Sequence, residues 1–192
     1  MSDAPRLCLA LVLGPAPEAG GGGDALRDIA AGTQILGAAR WLEQDLAATS
    51  EPRGGAPGRQ LLLCDTVSGP ALTSGEERWS WSGAQLGEGG ISAPQGAGAL
   101  LLNCMNIDAA HEDEFNDWYD TEHLPRIAAV EGVMLARRYR SERSDPRYLA
   151  CYHLRDLDVV RGEAWKAAAL TPWTARMRRH RTGLVRKGFT AL

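Results

Sequence analysis

The stretch EFNDWYDTEHLPR, residues 114–126, decides how this chain is read. At about 3.6 residues per turn, Phe115, Trp118, Tyr119, Glu122 and His123 share one broad helical face. That face is mostly aromatic, so it points inward and aims a histidine–carboxylate pair at a core or a pocket. Asp113, Asp117 and Asp120 fill much of the remaining surface and form the solvated side. Leu124-Pro125 then disturbs the helix, because proline lacks an N–H and its ring clashes with the preceding turn. Two readings of His123 stay open. It is either a core histidine held by a neighbouring carboxylate or an acid/base whose ordinary pKa suits neutral pH.

Working outward, an apolar run, ALLLNCMNI (99–107), precedes the helix. Gly132, VMLARRYR (133–140) and RYLACYHL (147–154) follow it. A second helical region carries Trp165 and Trp173, and RTGLVRKGF (181–189) closes the series. The order strand, helix, strand, strand, helix, strand is the split βαβ arrangement of ferredoxin-like units.

The first half reads as a worn copy of the second. RLCLALVLG (6–14) parallels the strand at 99, and glycines at 20–23 precede a short helix candidate, DALRDIAA (24–31), with Asp24 as its N-cap. Gly32 with ILGAARW (35–41) mirrors Gly132 with MLARRY (134–139), and RQLLLCDTV (59–67) mirrors RYLACYHL. Matched spacings of this kind mark an internal repeat. Ile35, Leu36, Ala39, Leu42 and Leu46 also fit a helical stripe, but the repeat favours a strand followed by a short helix. Only ALTSGEE (71–77) is available for the second helix before RWSWSG (78–83), where Trp79 and Trp81 alternate with Ser80 and Ser82 as one buried strand face. SEPRGGAPG (50–58) is a loop by its glycine and proline content. The organisation is therefore a degenerate unit over 1–85, a Gly-rich linker over 86–98 and an intact unit over 99–192.

The helix motif F-x-x-W-Y-x-x-x-H-x-P (115–125), with the glycine-then-R-R-Y strand (Gly132, Arg137–Tyr139), resembles the dimeric α/β-barrel superfamily and its EthD-like branch. The resemblance covers roughly the C-terminal half. It implies an α+β fold in which two antiparallel sheets pack into a barrel, here closed within one chain, with any homodimer using another surface. It also implies that the sheet faces turned away from the helices line an enclosed cavity, and that small ligands fit where helix and sheet part. Relatives so implied include lactone isomerases, polyketide cyclases and cofactor-free, quinone-forming oxygenases. The function expected is thus a cofactor-free isomerase, cyclase or lyase, or a cofactor-independent oxygenase, acting on a small apolar carbonyl compound. In that reading His123 is the acid/base, Tyr119 touches it or a substrate oxygen from one turn away, and Glu122 points about 100° aside. Asn103 or Arg138 stabilises a developing enolate, and Trp118, Tyr152 and His153 complete the binding wall. The alternatives are a non-catalytic protein that binds a hydrophobic ligand and, as a minor one, haem binding through His123.

Composition sets outer bounds. The 192 residues are 44% hydrophobic and 23% charged with net charge −3, values of an ordinary globular chain rather than a nucleic-acid binder. A basic run, Arg176, Arg178, Arg179, His180 and Arg181 with Arg186 and Lys187 beyond, reads as the solvated end of a last helix, with a bound anion as the sharper alternative. Arg137, Arg138 and Arg140 read as an exposed rim around a packed Tyr139. Cys8, Cys64, Cys104 and Cys151 lie in apolar runs without C-x-x-C spacing, which fits buried thiols in a cytoplasmic protein. His111, His123, His153 and His180 show no local ligand spacing, so sequence indicates no metal. The apolar start at 7–14 is read as a buried strand rather than a signal peptide, and no run is long enough to span a membrane.

Overall fold

The computed structural model describes residues 7–15, 29–31, 33–46, 58–72, 76, 78–87 and 93–192. The glycine loop at 20–23, most of the loop at 50–58 and residues 88–92 of the 86–98 segment lie outside the described residues. Of the helix expected at 24–31, residues 29–31 are described and are helical.

Eight strands carry the architecture: β1 (Cys8–Gly14), β2 (Ile35–Gln44), β3 (Gln60–Thr66), β4 (Trp79–Leu86), β5 (Ala99–Ile107), β6 (Val133–Arg140), β7 (Tyr148–Leu154) and β8 (Arg181–Ala191). Every pairing is antiparallel, and each half has the same order, β4-β1-β3-β2 and β8-β5-β7-β6. The halves join where β2 meets β8, from Trp41–Ala191 to Gln44–Gly188, and where β4 meets β6, from Ala84–Arg140 to Leu86–Arg138. The ring of pairings closes through these two short seams, of four and three residue pairs. Helices α1 (Glu112–Trp118), α2 (Leu124–Ala128), α3 (Glu163–Ala169) and α4 (Pro172–Met177) cover the outer face of the second half.

Strand alternation sorts the core into layers. Leu9, Leu11, Leu13, Leu61, Leu63, Trp81, Leu100, Leu102, Cys104, Leu149, Cys151 and Phe189 fill the barrel interior. Ala10, Val12, Leu62 and Cys64 face outward in the first half and pack with Ile29. Leu101, Met105, Tyr148, Ala150, Tyr152 and Leu154 face outward in the second half, against Phe115, Trp118, Ile127 and Trp165. Gly132 turns the chain into β6 at φ +88°, and a Cβ there would lie 2.5 Å from Val159 Cγ2. Only glycine meets both demands.

The structure changes four expectations. Ile35–Gln44 is strand throughout, because β3 supplies ladder partners from Ile35 to Leu42 and β8 takes Trp41–Gln44, and the helical stripe of this segment is not used. β4 runs on to Leu86, inside the expected linker, since its last residues pair with β6. Ser80 and Ser82 are buried along with Trp81, so this strand is covered on both faces rather than one. The barrel interior is a packed core and not an open chamber. It gives way to a cavity of about 550 Å³ at one mouth, where Trp41, Leu63 and Asp65 meet residues 93–97.

Candidate functional site

Between α1 and α2 the helix widens into a π turn, Tyr119–His123, in which the Leu124 N–H donates to the Tyr119 carbonyl. The local cause is Pro125, which follows two residues after His123 and cannot donate to the helix. The wider turn absorbs the proline, so the helix continues into α2 rather than breaking. Such π turns recur at functional positions because they re-aim side chains.

His123 is 9% exposed. Its ring stacks on Trp118 at 4.3 Å and meets Tyr119 edge-on at 5.1 Å. Its Nδ1 is buried and has no hydrogen-bond partner among the described residues. Burial, then the charges of Arg178, Arg138 and Arg181, push its pKa down to about 4, so the ring is neutral at pH 7. A core histidine held by a carboxylate would show the opposite shift. Glu122 does not supply that carboxylate. It accepts a 2.6 Å hydrogen bond from Thr171 Oγ1 and fastens the π turn to the start of α4.

The other expected residues divide between two sides of the sheet. Arg138, on β6, faces the helices and is 1% exposed. Its guanidinium sits 4.2 Å from the Tyr119 ring centroid, 4.9 Å from Phe115 and 5.1 Å from Tyr148, and donates to Asn116 Oδ1 at 2.7 Å. Tyr119 is buried beneath it, and burial raises the phenol pKa against the opposing charge of Arg138. Tyr152 is fully buried, edge-on to Trp165 at 5.4 Å, with a hydroxyl that has no partner in hydrogen-bond geometry. Asn103 lies on the same sheet face, paired in register with Ala150 and Arg186, and its Oδ1 is likewise buried and unpartnered. Trp118 Nε1 shares that condition. The structure therefore gathers His123, Tyr119, Trp118, Arg138, Tyr152 and Asn103 into one layer between helix and sheet.

His153 does not join them. It projects into the barrel interior, edge-on to Trp41 at 6.0 Å and 3.9 Å from Cys151 Sγ, where burial and then Arg137 lower its pKa to about 3. Beside it lies a pair that the sequence reading did not select, Asp65 and Arg137, in a 2.7 Å ion pair with both side chains at most 2% exposed. Asp65 Oδ2 also accepts from the Ala93 N–H at 2.8 Å. A lone aspartate inside LLLCDT was the available sign. The expected exposed rim of arginines is corrected in the same way: Arg137 and Arg138 are buried and only Arg140 is exposed.

The basic run also takes on a role. Arg178 and Arg181 act on His123, and Arg186 acts on Tyr152. Burial and then these cations hold the imidazole neutral, and Arg138 is itself paired with Asp120 at 3.5 Å. A crevice of about 410 Å³ is lined by Arg138, Asp120, Leu124, Pro125, Ala128 and Leu135 among others. His123 is not in its wall.

No family model and no curated protein matches the chain. Solved structures do. A major regulator of staphylococcal pathogenesis superposes with TM-score 0.61 at 9% identity, over 96% of this chain and 99% of that one. A candidate monooxygenase from Fusobacterium nucleatum gives 0.56 at 8%, over 97% and 93%. A chlorite dismutase from Candidatus Nitrospira defluvii in complex with imidazole gives 0.53 at 10%, over 98% and 92%. At such identities the likeness is one of fold, and the fold is ferredoxin-like α+β.

Proposed function

We propose that this chain is a small-molecule enzyme in which His123 moves a proton beside a carbonyl group. The observation that carries the reading is a buried, unpartnered Nδ1 on a neutral imidazole, set on a π turn. Buried polar atoms are nearly always paired, and an orphan on a titratable ring invites a ligand. Neutral His123 offers a lone pair at pH 7, and in this reading it takes the proton only as negative charge develops on the substrate beside it. The enolate left behind would be favoured by the nearby cations, Arg138, Arg178 and Arg181, in a site of low dielectric. Tyr119 and Tyr152 keep their protons and can donate hydrogen bonds to a substrate oxygen.

In this reading the two halves, alike in strand order, descend from one duplicated unit, the second being the EthD-like copy that kept its helix face. Isomerase, cyclase or lyase chemistry on a small apolar carbonyl compound follows from the same groups, and so does cofactor-independent oxygenation through a stabilised carbanion. Candidate monooxygenases and chlorite dismutases on this fold are compatible with small-molecule chemistry here. Haem ligation through His123 is the minor alternative; Trp118 covers one face of the ring and Tyr119 meets it edge-on. One observation favours non-catalytic binding as a second reading: the cavity of about 550 Å³ at the barrel mouth lies away from His123.

The test is exchange of α-protons for deuterium across a panel of small cyclic ketones and lactones, followed by NMR. The native chain should exchange at least one of them, and His123→Ala should slow that exchange about 10²–10⁴-fold, the ordinary share of a general base. Equal exchange by a folded His123→Ala chain would remove the base assignment.

A further inference from the structure

Away from the helix–sheet layer, the fold brings together two histidines that lie far apart in sequence. His111 ends the short 3-10 turn Ala109–His111, and His180 immediately precedes β8. Their rings stack with centroids 3.5 Å apart and planes inclined by 30°. Asp108 completes the group, and one ligand atom from each of the three residues lies within 4.8 Å of the others. Backbone bonds fix the arrangement. The Asp108 N–H donates to the His180 carbonyl at 3.0 Å, and the His111 N–H donates to the Asp108 carbonyl at 2.9 Å. Asp108 Oδ1 accepts from the Ala110 N–H at 3.1 Å, which leaves Oδ2 for another partner.

We propose that Asp108, His111 and His180 bind a divalent transition-metal ion. Two imidazoles and a carboxylate oxygen suit Zn²⁺, Co²⁺, Ni²⁺ or Cu²⁺, whereas Mg²⁺ and Ca²⁺ seek oxygen donors. Three protein ligands leave a coordination position for water. Binding one ion turns the rings from their stacked pose so that a nitrogen of each faces it. The surrounding charge is mixed. Glu114 Oε2 lies 4.0 Å from His111 Nδ1 and also accepts from Arg176 at 2.9 Å. Arg178, Arg179 and Arg181 flank His180 in sequence. These cations oppose an ion held by charge alone and so favour metals that bond strongly to imidazole. Asp108 is exposed and both histidines are half-buried, so an ion reaches the site without unfolding. Sequence gave no sign of this group because its ligands come from two separate segments. This site is independent of the His123 reading.

The test titrates the metal-free chain with Co²⁺, followed by visible absorption and calorimetry, with Zn²⁺ and Mg²⁺ as competitors. One Co²⁺ per chain should bind, with displacement by Zn²⁺ and not by Mg²⁺. His111→Ala and His180→Ala should each weaken binding at least about tenfold, since even an outer-shell change costs 10–100-fold. Asp108→Asn keeps the turn's cap, because asparagine caps as well as aspartate, and should still lower affinity. As a check that needs no variant, substoichiometric Ni²⁺ should broaden the NMR signals of the His111 and His180 rings and spare those of His123 and His153. Absence of Co²⁺ binding, unchanged binding in His180→Ala, or broadening confined to other residues would overturn the proposal.

Discussion

Replacing Asp65 with alanine tests how the barrel is held closed. Asp65 belongs to β3 and Arg137 to β6, strands that are not neighbours in the ring, so their 2.7 Å pair crosses the barrel interior between the halves. Both side chains are at most 2% exposed, so Asp65→Ala takes the carboxylate away from a guanidinium in a packed core. Breaking a buried pair from one side costs about 3–5 kcal/mol, most of it for the charge left behind. In a chain of this size each kcal/mol lowers Tm by about 2–4 °C, so the expected drop is roughly 6–20 °C. The desolvation argument makes a sharper demand on the double replacement, Asp65→Leu with Arg137→Met. Removing both charges should restore most of the stability, because a buried pair is worth little against apolar groups of similar volume. The loss that remains is the acceptor for the Ala93 N–H, about 1 kcal/mol. Thermal and urea unfolding of the three chains settle it. A single variant that melts within 2 °C of the native chain, or a double variant no more stable than the single, would refute the reasoning.

Three further outcomes follow from the same structure. His123 and His153 have folded-state pKa values lowered to about 4 and about 3 from the ordinary 6.5, so the unfolded chain takes up protons that the folded chain refuses. Stability is therefore unaffected above pH 6.5 and falls as pH drops from about 6.5 toward 4, by at most about 3 kcal/mol per pH unit for two protons; urea midpoints across that window should lose about half of this slope in His153→Gln. The four cysteines are buried, and burial raises Cys64 to about 11 and Cys104 and Cys151 to about 12, so a thiol reagent at pH 8 should leave these three unmodified until the chain unfolds. Arg138→Lys keeps the charge but gives up the planar stack on Tyr119 and the fork to Asn116, and should cost about 2 kcal/mol in urea unfolding.

The fold was legible where burial patterns are simple. Apolar runs at 7–14, 60–66, 99–107 and 148–154 read as strands because they are the inner members of each half, flanked on both sides. The Ile35–Gln44 segment was ambiguous for a physical reason. Only its first four residues alternate between half-buried and exposed, and its assignment rests on pairing with β3 and, at its end, with the distant β8. The aromatic face of the 114–126 helix was equally plain, and Trp118, Tyr119 and His123 all turn inward. The π turn was not, since a proline alone announces a disturbance without saying whether the helix breaks or widens.

Arg137 and Arg138 show why the rest of the site stayed hidden. Neighbours on a strand face opposite sides, so a period of two already assigns them to different layers. What it leaves out is whether either layer is wet. Two adjacent arginines read as exposed because burying a guanidinium without partners is costly, and the compensating groups are not local. Asp65, 72 positions away, meets Arg137 inside the barrel. Asn116 and the rings of Phe115, Tyr119 and Tyr148 receive Arg138 under the helices. The barrel core on one side and the helices on the other bury β6 at Arg137, Arg138 and Tyr139. One residue then secures the barrel core and its neighbour braces the helix that carries His123. The arginine pair couples the stability of the barrel to the position of the candidate base. Disturbing the Arg138 cage should therefore shift the imidazole of His123, while disturbing Asp65 should unfold the chain first.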